Sequence, residues 1–500
     1  MEINFKNRTV PVYKELSYQT KVVQEVCEAV VPDTDEDIGS VAAVQSQVFL
    51  KSKDVTPRGV LISGEACASL MYITESQDKV SYMKLKRTFS MEYEIADIDS
   101  EALSQINLYI ISAEARLINP RKVSVCFEIA GELSCYISEE LDVEYLAPAS
   151  DEVLIHAKYE SAELNVVSSV NEKTFSINEQ FSFPGGKPTP SRLVFADADI
   201  AINDTQLIGT KVIVKGSAAV SVSYLSDEVN YPVKAEFTAP FSQIVDIGEA
   251  VMENCTVTAT LTGMYYNVAD SIGGDKLMDI ELHTLLQLCC RSSREIVYVS
   301  DAYSNVMPAN CVREKRKLQH VSQSRKVKMS SDERLSIADD CSDVLSLFAV
   351  LSGLRQEQET VSATVNLDIV YRDSSGKISS ARRSINIKTE NAMQCCRVQS
   401  AKLADVYLRP DGQYLDCHLA VELCCLVCGS LELECVKTVT LDEDAAIELE
   451  KFPTVCLVRC SGESLWELAK TYHSSVEKIR EANDMEDDIN GRMILVPKCI

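Results

Sequence analysis

The clearest regularity in this chain is an alternation of apolar and polar positions that occurs three times. Ile62, Gly64, Ala66, Ala68, Leu70 and Tyr72 fall on one face of a first segment. Val214, Gly216, Ala218, Val220, Val222 and Tyr224 hold the same places in a second, and Val361, Ala363, Val365, Leu367, Ile369 and Tyr371 in a third. In the third copy the intervening Ser362, Thr364, Asn366 and Asp368 are polar. A period of two predicts a half-buried strand. Small residues early and large ones late suggest a strand that runs from a tight contact into an open core. The closing tyrosines stand 152 and 147 residues apart, so the pattern is an internal repeat. Pro32 and Pro184 precede the first two copies at the same spacing of 152.

Turn signals punctuate these strands. Hairpins are expected at 113–127 and 404–420, the latter turning at Pro410-Asp411-Gly412, where proline presets φ and glycine takes a positive φ. The second copy has a longer loop at 269–276 with Gly273 and Gly274. Helical patterns are scarce: 101–105 and 343–351 read as short helical turns. The expected fold class is mainly β, with three tandem β-sandwich-like repeats followed by a small α/β module of βααβ order. The expected boundaries are 1–150, 151–305, 306–450 and 454–498. The links near 151 and 306 are short and not rich in Gly or Ser, which favours a semi-rigid arm over loose beads.

The pattern changes in the last fifty residues. Leu457 and Val458 start a strand that Ser461-Gly462 breaks. Ser464 is placed to cap a helix with Glu467 as its capping-box partner. Leu465, Leu468, Ala469 and Tyr472 recur at helical spacing. Ser475 can cap a second helix carrying Val476 and Ile479, and Asn490-Gly491 turns into a strand over 493–496 that Pro497 ends. A unit this small has little core of its own.

Composition narrows the function classes. Five hundred residues suggest three to four domains at ~150 residues each. The formal charge of −26 argues against nucleic acid and anionic membranes, which need a basic field. No signal peptide is read at the start, and no run of apolar residues is long enough for a bilayer. Nineteen cysteines, an odd count without an export signal, favour a reduced cytoplasm.

Catalytic chemistry is hard to find. The five histidines, at 156, 283, 320, 418 and 473, make no metal-binding pair. Cys424, Cys425 and Cys428, with Cys417, His418 and Cys435 nearby, leave three readings open: buried core thiols, a metal site, or cross-linking by oxidation. The segment reads as a strand, which favours the first. Gly185-Gly186-Lys187 lacks the context of a phosphate loop, and Asp339-Asp340 and Glu139-Glu140 read as solvated charge. No cofactor is implied. One basic run stands out in so acidic a chain: Arg313, Lys315, Arg316, Lys317, Arg325, Lys326 and Lys328. It is either the solvated face of a strand or a docking strip, centred on Arg313, Lys315, Arg316 and Lys317, for an acidic partner.

Residues 454–498 resemble a LysM module, on the turn Gly462-Glu463-Ser464, the pair Leu465-Trp466, Asn483, the turn Asn490-Gly491 and Pro497. The resemblance implies a groove between the loops 461–465 and 483–490. The ligand-contacting positions would be Gly462, Glu463, Ser464, Leu465, Trp466, Asn483, Asp484 and Met485. This sequence departs in having Glu463 where aspartate is usual and a strongly acidic loop at 484–488. The three repeats resemble the SPOCS domain of spore coat and cortex proteins, on Val31-Pro32, the Gly64 and Gly216 strands ending in tyrosine, and the 301–304 segment beginning Asp301. The third copy lacks the strand glycine and looks degenerate. SPOCS repeats followed by LysM are similar to clostridial spore-coat morphogenetic proteins. That resemblance implies a non-enzymatic adaptor in the mother-cell cytoplasm, at the forespore surface. Its implied partners are the ATPase of the coat basement layer and other coat proteins. The alternative is binding of peptidoglycan through N-acetylglucosamine. Neither reading involves nucleic acid or membrane insertion.

Overall fold

A computed structural model of the chain describes residues 2–4, 6–76, 80–146, 155–248, 252–270, 276–357, 360–389, 396–445, 447–484 and 490–498. The link at 151 and the Gly273-Gly274 loop lie outside these. The chain is mainly β. Its first stretch holds β1 (Glu2–Asn4), β2 (Lys6–Val30), β3 (Ile38–Thr56), β4 (Gly59–Thr74), β5 (Val80–Glu94), β6 (Leu103–Asn119) and β7 (Lys122–Leu146). The second holds β8 (Ile155–Ser182), β9 (Arg192–Ile208), β10 (Lys211–Ser226), β11 (Val229–Asp246), β12 (Asn254–Asp270) and β13 (Lys276–Ser304). The third holds β14 (Ala309–Ser336), β15 (Cys341–Glu357), β16 (Thr360–Asp373), β17 (Ile378–Lys388), β18 (Cys396–Asp411) and β19 (Tyr414–Leu441). A terminal unit follows: β20 (Val455–Arg459), α1 (Leu465–Thr471), α2 (Val476–Asn483) and β21 (Met493–Pro497).

One order of elements recurs in the three stretches. A long strand comes first, then a three-stranded meander, then a hairpin whose second strand returns along the long one. The long strands β2, β8 and β14 pair antiparallel with β7, β13 and β19. The meanders are β3-β4-β5, β9-β10-β11 and β15-β16-β17. Their middle strands are the three alternating segments, and Ile62, Leu70, Tyr72, Val214, Val222, Tyr224, Val361, Leu367 and Tyr371 are all buried. That face packs on the hairpin of its own stretch: on Val125 and Phe127 of β7, on Met278 and Leu282 of β13, and on Leu419 and Leu423 of β19. The hairpin turn at Gly412 has φ +64°, as its proline-aspartate-glycine sequence predicts.

The three stretches join along their other faces. Ala43, Met71 and Tyr82 from the first meander, Val194 and Phe195 from the second, and Phe348, Val370 and Ile378 from the third form one buried cluster. β2 meets β8 at Tyr13 and Val167, and β13 meets β7 at Val297 and Glu144, so the first two stretches share a six-stranded sheet. β1 pairs with β19, which stitches the start of the chain onto the third stretch. Polar contacts reinforce these joints. Asp368 accepts two hydrogen bonds from Arg382, at 2.6 and 2.9 Å, and one of 3.3 Å from the Val44 amide. One Arg397 nitrogen, Nη1, donates to both oxygens of Glu15, at 2.9 Å each.

Two local features explain departures from the repeat. Gly64 lies opposite Phe89 and Gly216 opposite Phe241, with each ring over its glycine: an added Cβ would come within 2.3 and 2.4 Å of the rings. In the third stretch Ala363 faces Ile387, so loss of the glycine coincides with loss of the ring. The short helical turn expected at 343–351 is instead part of strand β15, and this corrects the sequence reading. Register shifts at Val344/Ser346 and Leu351/Gly353 break the period of two. Apolar residues also face both sides: Val344 and Leu347 turn to the third core, Leu345 and Phe348 to the shared cluster. The resulting spacing of 344, 347, 348 and 351 imitates a helix. At 101–105, residues 101 and 102 lie in a turn and 103–105 already belong to β6.

Candidate functional site: the terminal unit and its socket

The terminal unit is built by capping and by alternation. The Ser464 hydroxyl accepts from the Glu467 amide at 3.2 Å, and Glu467 accepts from the Ser464 amide at 2.7 Å, closing the capping box of α1. Ser475 caps α2 by accepting from the Lys478 amide at 3.2 Å. β20 and β21 pair antiparallel, with Leu457 opposite Leu495 and Cys456 opposite Val496. Inward residues Ile494 and Val496 pack with Leu465, Leu468, Ala469 and Ile479.

The candidate groove residues take different roles. The Cys460 amide donates to the Arg492 carbonyl and the Gly491 amide to the Cys460 carbonyl, both at 3.0 Å, so the bases of the two loops lie side by side. Gly462, with φ +126°, and Glu463 and Ser464 are exposed. The Glu463 carboxylate accepts from the Ser461 amide at 2.7 Å, and this bond holds its pKa below the usual range. Leu465 is buried in the unit's core. The Asn483 side chain bridges to β21: its amide donates to the Leu495 and Ile479 carbonyls at 2.7 Å, and its oxygen accepts from the Leu495 amide at 2.8 Å. Asn483 thus acts as a one-residue extension of the sheet. Asp484 is exposed, in left-handed backbone at φ +47°. Met485 and the rest of the acidic loop through 488 lie outside the described residues.

Trp466 turns toward the body of the molecule. Its indole N–H donates to Asp301 at 2.9 Å, and its ring meets Tyr303 edge-on at 4.9 Å between centroids. Asp301, near the end of β13, also accepts from Lys470 at 2.8 Å and from Arg313 at 3.2 Å. Burial pushes the Asp301 carboxyl up, but the hydrogen bonds and charge of Lys470, with the indole N–H, outweigh it and hold it below the usual carboxylate range. Tyr303 enters the unit's apolar core, and its hydroxyl donates to the Ser474 carbonyl at 2.8 Å. Asn305 donates to the same carbonyl at 3.2 Å and to the His156 ring at 3.0 Å, while His156 stacks on Tyr303. Burial lowers the His156 pKa. Asp301, Tyr303, Asn305 and His156 form a socket for the terminal unit. The 301–304 segment carries no local signal of this role, because the contact is made across some 165 residues.

The opposite side of the unit is bare. Val455, Leu457, Met493 and Leu495 are 50, 60, 52 and 41% exposed on the outer face of the β20–β21 pair. This face is not legible in the sequence, because apolar residues occupy both parities of each strand. The basic run lies on β14, where Arg313, Lys315 and Lys317 are exposed and Arg316 is half-buried. Lys315 stands opposite Glu434 and Lys317 opposite Glu432, with a Lys317–Glu432 separation of 3.9 Å. Lys326 approaches Glu422 at 3.6 Å and Lys328 approaches Asp405 at 2.9 Å. Acidic neighbours on the paired strands thus offset much of the strip.

The cysteine-rich segment is strand β19. Cys417, Cys425 and Cys435 are buried, and His418 hydrogen-bonds Asp332 at 2.7 Å. Among the described residues, no group of three or more His, Cys, Asp and Glu side chains has metal-binding geometry. Among them, too, no helix is long and apolar enough to cross a membrane.

Comparison with known proteins adds one match. The family model described as SipL, SPOCS domain, matches residues 191–269. That segment is similar to a SPOCS domain. It spans β9 to β12, the second meander and the first strand of its hairpin, and it supports a sporulation-related SPOCS protein. No curated protein and no solved structure matches the chain. The order of elements within the SPOCS segment recurs in the stretches on either side of it.

Proposed function

We propose that this chain is a non-enzymatic adaptor of sporulation. Its terminal unit is a LysM-type docking head that binds the ATPase of the coat basement layer, and its SPOCS-type stretches present surfaces to other coat proteins. On this reading it works in the mother-cell cytoplasm, at the forespore surface. The observation that carries the proposal is the bare apolar face of β20 and β21, with Val455, Leu457, Met493 and Leu495 exposed together on a unit otherwise anchored to the body. Clustered exposed apolar side chains of this kind suit a protein partner. Many weak heads facing a polymerised layer bind by avidity, because each tethered contact raises the effective concentration of the next.

A second reading, glycan binding, is favoured by the loop bases joined at Cys460, Gly491 and Arg492. Titration calorimetry of the full chain separates the two. Leu457→Glu with Leu495→Glu should abolish binding to the purified ATPase while circular dichroism stays unchanged. Saturable binding of N-acetylglucosamine oligomers, with no binding of the ATPase, would replace the first reading by the second.

A further inference from the structure

Two cysteines of the second stretch face each other across a ladder. Cys255 on β12 and Cys290 on β13 are directly opposed in register, so their side chains share one face. Their sulfurs are 3.3 Å apart. Directly opposed residues in an antiparallel ladder have Cα atoms about 4.5–5.5 Å apart, inside the span a disulfide bridges. Closure to a bond of about 2.05 Å then needs side-chain rotation and no backbone displacement. The neighbouring Cys289 turns to the other face, against Tyr136 and Val170, and does not compete.

We propose that Cys255 and Cys290 are a disulfide-forming pair oxidised by a peroxide. Cys255 is half-buried on β12, an edge strand of the six-stranded sheet, whereas Cys290 is fully buried. The reaction therefore begins at Cys255. Hydrogen peroxide transfers one oxygen to the Cys255 sulfur, giving a sulfenic acid and one water. The Cys290 sulfur attacks that sulfur, the S–S bond forms, and the hydroxyl leaves as a second water with the Cys290 proton. Two thiols lose two electrons and two hydrogens, and one peroxide becomes two waters. The hydrogen bond between the two sulfurs, with the Arg291 charge nearby, lowers the Cys290 pKa, while the same bond and burial raise that of Cys255; access therefore selects Cys255 for the peroxide, and Cys290 supplies the attacking thiolate. The bond fastens the edge strand to its neighbour beside the cluster of Val212, Val214, Val245 and Leu288. An edge fixed in this way resists opening and strand exchange.

The test uses the full chain, reduced and then treated with hydrogen peroxide before alkylation. Peptide mass mapping should find the Cys255 and Cys290 peptides joined, with a loss of two hydrogens, and the oxidised chain should unfold at higher urea than the reduced one. Cys255→Ala and Cys290→Ala should each remove both the linkage and the urea shift, while Cys289→Ala should keep them. Recovery of Cys255 and Cys290 as alkylated thiols or as sulfinic acids, with circular dichroism confirming the fold, would overturn the proposal. So would preferential pairing of either one with another cysteine.

Discussion

The molecule holds its parts together by two joints of opposite chemistry. The three meanders meet through a buried apolar cluster that includes Met71, Phe195, Phe348 and Val370. The terminal unit meets the body through Asp301, Tyr303 and Asn305, where hydrogen bonds and one buried ring do most of the holding. An apolar joint loses its burial energy when opened, and that contribution depends little on pH. A polar joint exchanges its bonds for water and opens at a lower cost. The difference predicts a body that unfolds as one piece and a head that detaches before the body unfolds.

The largest effect should come from the apolar joint. Phe348→Ala should destabilise the body by about 3–5 kcal/mol, and all three stretches should unfold in one urea transition monitored by circular dichroism. Independent melting of the third stretch would break the comparison. Asp301→Ala comes next. It leaves Lys470 and the Trp466 indole without their acceptor, and should weaken head docking by about 1–3 kcal/mol. Trp466 emission should shift to the red while the body's urea midpoint stays put; Trp466 is the only tryptophan, so the signal is unambiguous.

Acid should act on the same joint. Burial lowers the folded-state pKa of His156, whose ring accepts from Asn305. The undocked state therefore binds more protons, and docking stability should fall as pH drops below about 6.5. Asp301, also lowered, continues the loss at more acidic pH. A tryptophan emission profile that is flat from neutral pH down to pH 5, or unchanged by His156→Gln, would count against this. The smallest effect is expected at Lys317→Glu. Lys317 and Glu432 have side chains 65 and 74% exposed, so stability should move by no more than about 0.5 kcal/mol.

The joints were less legible in the sequence than the elements they join. β4, β10 and β16 were readable because one face of each is covered by its own hairpin, while much of the other is polar, as at Ser63, Glu65, Lys215, Ser217, Ser362 and Thr364. The capping box of α1 and the serine cap of α2 were readable because capping is local. β15 was not, since bulges and burial on both faces erase its period. The socket was invisible for a different reason: Asp301 and Tyr303 look like any polar and aromatic pair on a strand until the chain returns some 165 residues later. Trp466 and Asn483 were marked as ligand contacts by family likeness, yet their side chains are engaged within the molecule, one in the socket and one along β21.

The long strand β13 gives the head joint a mechanical meaning. Its 29 residues have a contour length of about 95 Å at ~3.3 Å per residue, and it is paired with β8 along nearly all of it. The socket sits at its C-terminal end. A pull on the head directed along that strand would load the whole ladder in shear, where many hydrogen bonds share the force instead of opening one after another. A tether between two moving layers would benefit from that geometry: under strain the weak polar joint would release first, and the body would survive to reattach.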